Sequence, residues 1–430
     1  MAENVTVASV EAEELSPYLR QLLFFICVAT FFEAYDVLII NLALPYLGQE
    51  FNADAQTLGF AVSIISVGTI VAFIPVRLAD TYGRRPLLLS VISGYTLFTV
   101  ATIFCTNLYN FVALQFIARM FMVAEVGIGS IILTEEIPAR FRGRAISLMM
   151  GSGLVGGTIA AFAFPYLIKT ALGWRMLYLV GGILIPMLII FWNRIRETRR
   201  WQNQQDQQDQ HAQQAKRERR KKSLLQEIRE TRVVFQPQYR RNIAAGSLVW
   251  FLTNFWSASS LFFFTYFVMQ ERGWDAELVG TVLPIASLIS VSGYLLSGPL
   301  LDFVGRRATA AVYFGIGGAS AALCFQSETT ALITFFYIIV MAMNALWGIS
   351  ATITSEIFPT AIRATANAVM NNLIGRTGMV LAPALVGVLS KSLGSVGNAV
   401  SVLALFNFVC IPFLLFLLSE TKGKVLEEIA

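Results

Sequence analysis

Twelve apolar runs of roughly 20 residues each alternate along this chain with short charged or Gly/Pro-rich breaks, and that repeated length leaves few folds open. A helix of that length crosses the ~30 Å hydrocarbon core of a bilayer. The runs lie near 22–47, 57–77, 87–106, 109–134, 144–170 and 174–193, then near 242–270, 278–299, 308–325, 330–354, 365–390 and 398–418. Only 14% of the residues are charged against 56% hydrophobic, whereas soluble domains carry about 25% charged residues. The expected fold is an all-α membrane protein, twelve transmembrane helices in two sets of six: an N-terminal half over 1–193, a linker loop over 194–241 and a C-terminal half over 242–430. The first seven residues lack a basic stretch and EAEE at 11–14 precedes the first span, so a cleaved signal peptide is not expected.

Lys and Arg collect on alternate loops: Arg84 and Arg85, then Arg140, Arg142 and Arg144, then a dense run through 194–241, then Arg306, Arg307 and Arg363. The intervening loops carry Lys169, Arg175, Arg272 and Lys391. Basic loops stay on the cytoplasmic side, so both termini and the linker are expected there, in a plasma or bacterial inner membrane. The linker joins QNQQDQQDQ to KRERRKK and is too polar to build a core. Its charge suits topology and anionic headgroups better than nucleic acid.

Little in the chain suggests a cofactor or metal. Cys27, Cys105, Cys324 and Cys410 fall one to a span, and the lone His211 sits in the linker without ligand-spaced partners. GSGLVG at 151–156 fits G-x-G-x-x-G but lies inside a span with no preceding strand, which excludes a nucleotide fold. Its glycines instead suit close helix packing.

The two halves are related. LADTYGRRP at 78–86 and LLDFVGRRA at 300–308 share D-x-x-G-R-R, through Asp80, Gly83, Arg84 and Arg85 in one and Asp302, Gly305, Arg306 and Arg307 in the other. Glu136 and Pro138 with Arg142 similarly match Glu356 and Pro359 with Arg363. Such a repeat is expected of a transporter whose halves rock about a midplane site. The paired acids and arginines are candidates for a cytoplasmic gate, joining the halves by ion pairs across the mouth. The alternative is that the arginines act as topology signals alone.

FFEAYDVLII at 31–40 places Glu33 and Asp36 inside an apolar run, and an ionisable residue in a span is first of all a candidate functional site. On a helix the two lie about 60° apart. Two charges so close in a low dielectric are costly together, and a nearby arginine relieves that cost, which suits a proton switch.

At these motifs the chain resembles the major facilitator superfamily over essentially its whole length. RETRRW at 196–201 and SETKG at 419–423 resemble the P-E-S-P-R-W and P-E-T-K-G boxes of its sugar porters, and SEIFPTAIRA at 355–364 is nearly verbatim. The span-four signature of that branch reads here Arg119, Gly127, Gly129, Glu136, Pro138, Arg142 and Gly143. The resemblance implies that Arg119 faces Asp36 of A-Y-D and that protonation releases the pair. A static pair tying helices together is the alternative. Glu33 is a secondary proton carrier or a substrate-facing group, and Glu125 serves the proton path or bonds a neighbouring helix.

Departures from sugar porters bear on the substrate. Arg376, in NNLIGRTGMVLAP of span eleven, gives R-x-G-x-x-x-A-P and resembles the organic-anion and aromatic-acid carriers. A guanidinium there needs a carboxylate, from the substrate or from a residue such as Glu33. Trp250, Asn254, Phe255, Trp256 and Tyr266 of span seven, with Asn344 and Trp347 of span ten, are expected to complete the cavity wall. The expected function is proton-coupled uptake of a small organic anion by a monomer. A sugar:proton symporter, a drug or metabolite antiporter of the same fold, and a non-transporting receptor are the alternatives. An enzyme is not expected, because no nucleophile–base or metal constellation is present.

Overall fold

A computed structural model of the chain describes residues 15–192, 194–198, 234–418 and 420–422. The rest of the linker, with His211, and the side chains of Asp80 and Cys410 lie outside that description. Among the described residues eleven helices are long and apolar enough to cross a membrane: α1 (Pro17–Glu50), α2 (Ala55–Ala79), α3 (Arg84–Phe104), α4 (Leu108–Glu136), α5 (Arg140–Leu167), α7 (Pro237–Gln270), α8 (Ala276–Phe303), α9 (Arg306–Gln326), α10 (Thr330–Glu356), α11 (Thr365–Leu393) and α12 (Val396–Leu417). A shorter apolar helical stretch, α6 (Arg175–Phe191), takes the place of the twelfth span. It is interrupted between Gly181 and Leu184, so it runs as two short helices.

Small polar residues start many of these helices. Asp54 accepts from the Thr57 amide at 2.8 Å, Asn107 from Asn110 at 2.9 Å, Asp275 from Leu278 at 2.8 Å and Ser395 from Asn398 at 3.0 Å. Each bond satisfies an amide that the helix itself leaves open. Within the first half α1 packs on α5, and α2 and α3 pack on α4; within the second, α7 packs on α11, α8 and α9 pack on α10, and α9 packs on α12.

Between the halves, α2 packs on α11 and α5 packs on α8. Two close approaches of backbone make these contacts at the end opposite the D-x-x-G-R-R turns. A Cβ on Gly59 would lie 2.5 Å from the Pro383 carbonyl, and one on Gly280 would lie 2.6 Å from the Pro165 ring. Ser63 donates to the Val380 carbonyl across the same seam, and Lys169 pairs with Glu277. Toward the other end the helices part. Met150 and Leu154 lie on the face of α5 that also carries buried Ala161 and Pro165, yet they are 50% and 41% exposed. The central cavity therefore opens at the end bearing the D-x-x-G-R-R turns.

Gly59→Leu is expected to force the closed ends of α2 and α11 apart. Overpacking of about 1–3 kcal/mol shifts a two-state equilibrium roughly tenfold to a hundredfold. A cysteine at Ser63, in a background lacking the native cysteines, should then react correspondingly faster with a water-soluble methanethiosulfonate. An unchanged rate would show that this contact does not close the cavity.

Candidate functional site

Three charged side chains from both halves meet in the cavity. Glu33 of α1 lies within electrostatic reach of Arg119 on α4 and of Arg376 on α11. Arg119 is 6% exposed and its Nε has no hydrogen-bond partner among the described residues. Arg376 is aimed by its neighbours. A Cβ on Gly375 would sit 2.6 Å from Trp250 Cβ, and one on Gly378 would sit 2.4 Å from the Phe251 carbonyl, so both glycines press α11 onto α7. Arg376 then projects about 130° away from that contact, toward the first half. The residues just before it, Ala368–Gly375, form a π-helix, a widened turn often found at functional sites. Arg376 Nε reaches Asn372 Oδ1 at 3.4 Å, a long bond that leaves the guanidinium largely uncommitted.

Asp36 and Arg119 lie within electrostatic reach of each other, although among the described residues no ion pair joins them. Asp36 is 1% exposed and turns into the first half, where Thr99 Oγ1 donates to its Oδ2 at 2.8 Å. Gly181, at the break in α6, makes room for it: a Cβ there would lie 3.2 Å from Asp36 Oδ1. The 60° between Glu33 and Asp36 thus separates a cavity-facing carboxylate from one that faces α3 and α6. Glu125 is 0% exposed and takes a 3.4 Å bond from Thr30, so it faces α1.

The aromatic wall is smaller than expected. Trp250 is buried, with Nε1 donating to Thr354 Oγ1 at 3.1 Å and its ring 5.7 Å from Trp347. Trp347 and Asn344 are half-buried. Trp256 belongs to the core of the second half, 1% exposed and set against Gly317 of α9. Phe255 packs between Gly378 and Phe406 of α12, and Asn254 is fully buried with its Nδ2 on the Trp250 carbonyl. Tyr266 lies beside Gly48 of α1, at the closed end. A helix consecutively rich in aromatics turns only some of them to a cavity, and sequence alone does not say which. Asn367 and Asn371, whose Oδ1 atoms are buried without a partner among the described residues, were not anticipated. NN at 371–372, one turn before Arg376, was the available signal.

At the open end the duplicated motifs build the same network twice. Arg84 pairs with Glu135 at 3.3 Å, and Arg306 with Glu356 at 2.8 Å. Thr198 and Thr421 donate to Glu135 and Glu356, while Glu197 and Glu420 accept the backbone amides of Arg84 and Arg85, and of Arg306 and Arg307. Gly83 and Gly305 turn at φ 104° and 106°, which favours glycine. Arg85 reaches the Trp192 carbonyl and Arg307 that of Leu415, each at the end of its half's last helix. Two expectations are corrected. The bonds named here lie inside one half rather than across the mouth, and the glutamate that corresponds to Glu356 is Glu135 rather than Glu136, in the register that also aligns Pro138 with Pro359. Asp302 adds a 3.4 Å bond to Arg306 from an exposed position, Arg363 Nε caps the Phe358 carbonyl at 3.2 Å, and Arg142 Nε is buried without a partner among the described residues.

The Major Facilitator Superfamily model matches residues 26–383 and again 259–429. The chain belongs to the major facilitator superfamily. It is 25% identical to the niacin transporter NiaP of Acinetobacter baylyi over 98% of this chain and 99% of that one. It is 23% identical to the 4-hydroxybenzoate transporter PcaK of Pseudomonas aeruginosa over 87% of each. A D-xylose-proton symporter of known structure shares the fold with a TM-score of 0.75 at 18% identity, over 95% of this chain and 100% of that one. A bacterial homolog of the human lysosomal transporter Spinster does so with a TM-score of 0.74 at 14%, over 94% and 98%. This major facilitator protein is thus an integral membrane transporter and not an enzyme.

The network makes a pH prediction through Glu420, which lies beyond the last span. Burial pushes its carboxyl up, but amides of Arg306, Arg307, Lys422 and Thr421 outweigh burial and hold it below the ordinary value. Stability from a lowered carboxylate is fully present above the unfolded value, about 4.3 for Glu, and is lost as pH falls through the lower folded value. The thermal midpoint of the purified protein should fall more steeply from about pH 5 to pH 3 than that of Glu420→Gln. Parallel curves would mean that the carboxylate contributes nothing as an ion.

Proposed function

We propose that this transporter is a proton-coupled symporter for uptake of a small organic monoanion, an aromatic or comparable carboxylic acid, by alternating access. The observation that carries the reading is that guanidiniums from opposite halves, Arg119 and Arg376, both lie within electrostatic reach of the Glu33 carboxylate. A substrate carboxylate and Glu33 then compete for the same donors. A proton on Glu33 removes the competitor, the substrate anion takes its place, and proton and anion cross together without net charge. Trp347 and Trp250 supply apolar surface for a ring, and the guanidinium fork supplies orientation. Asp36 and Glu125 act behind the cavity, where a proton alters how α1 packs on α3, α4 and α6. The names of NiaP and PcaK, carriers of aromatic acids, support this substrate class.

The open, D-x-x-G-R-R end faces the cytoplasm in this reading, as the distribution of Lys and Arg implies. The networks around Arg84 and Arg306 keep each half rigid while the halves rock about the contacts of α2 with α11 and α5 with α8.

Binding of benzoate, benzamide and benzyl alcohol to the purified protein tests charge selection. Benzoate should bind best. Arg376→Lys keeps the charge but loses the planar fork, and should weaken benzoate about tenfold to a hundredfold, about 1.4–3 kcal/mol, with little effect on the alcohol. Equal affinity for all three, or an unchanged benzoate affinity in Arg376→Lys, would remove the organic-anion assignment.

A further inference from the structure

A groove of about 1070 Å³ runs between α1 and α5 at the open end. Its mouth carries Arg20 and Arg144, each within the first two turns of its helix and therefore near the membrane boundary. Arg20 is steadied there by a 2.9 Å bond from its Nε to the Leu15 carbonyl. Its walls are apolar: Phe24, Leu148 and Val155 are 58%, 58% and 52% exposed. Gly151 keeps it wide, since a Cβ at that position would meet nothing within 4 Å. The same face of α5 continues to exposed Phe162 and Tyr166, so the groove looks out into hydrocarbon rather than into the central cavity.

Charge distinguishes this groove from two other clefts on the surface. Those between α3 and α6 and between α2 and α4 are lined by apolar and neutral residues only. An occupant matched to the groove needs an anionic head at the interface and an apolar tail reaching about one helical turn per 5.4 Å down the span. We infer that the groove binds one anionic phospholipid, its phosphate between Arg20 and Arg144 and an acyl chain along Phe24, Leu148 and Val155. A zwitterionic lipid has the same tail but brings its own cation to two arginines. The site is separate from Glu33, Arg119 and Arg376, and it braces α1, the helix that carries Glu33 and Asp36, against α5.

The test uses the full-length protein in detergent with phosphatidylglycerol and phosphatidylcholine of identical chains, reading bound lipid by native mass spectrometry and the thermal midpoint. Phosphatidylglycerol should bind one copy and raise the midpoint more than phosphatidylcholine. The double variant R20Q/R144Q should bind phosphatidylglycerol roughly thirtyfold more weakly, about 2 kcal/mol for two basic residues at a membrane surface. Gly151→Leu fills the groove while leaving both arginines, and should lose the same preference. Equal binding of the two lipids by the wild type, or a preference that survives both variants, would overturn the inference. So would an equal midpoint shift from glycerol 3-phosphate, which would make the site one for a soluble phosphate.

Discussion

Charge held in hydrocarbon is the constraint on which this molecule turns. Glu33, Arg119 and Arg376 lie in spans where an unpartnered ion is expensive, and they come from two halves that make few other polar contacts with each other. Each group is tolerable because the others offset part of its charge, and the whole cluster carries one net positive charge when all three are ionised. In the proposed exchange a proton neutralises Glu33 as the monoanion takes its place, so that count is kept and no net charge is added. The specificity and the coupling proposed here are two consequences of that one local charge count.

Away from the centre, polar chemistry is used for the opposite purpose, to keep each half stiff. The Arg84–Glu135 and Arg306–Glu356 pairs are each completed by a threonine and by a second glutamate seated on two backbone amides. These bonds connect the ends of different helices within one half, so rocking of the halves need not break them. The seam between halves relies instead on close backbone approach at Gly59 and Gly280, which depends on shape and can part at modest cost. Rigid blocks joined by a weakly polar seam suit alternating access.

The fold was legible because its signals are long-range in the sequence: span-length apolar runs, and D-x-x-G-R-R repeated at Asp80 and Asp302. Arg376 was visible as an arginine with no nearby interface to reach. What periodicity did not give was rotation. The step from Glu33 to Asp36 is small on the helix, yet the neighbours differ, Arg376 for one and Thr99 for the other. In the same way, Phe255 and Trp256 read as cavity wall but pack into the second half, because Gly378 and Gly317 draw them there. The π-helix before Arg376 ends at Gly375, where α11 presses on Trp250, and no local propensity announces it.

The most direct measurement is proton uptake on binding. Benzoate is titrated calorimetrically into the purified protein near neutral pH, in buffers of different ionisation enthalpy, so that the buffer dependence counts protons taken up with the anion. If Glu33 and the substrate compete for Arg119 and Arg376, the wild type takes up a proton with each benzoate to an extent that Glu33→Gln abolishes while still binding. Binding with no buffer dependence in the wild type, or the same proton uptake in Glu33→Gln, would contradict the competition at the centre of the proposed mechanism.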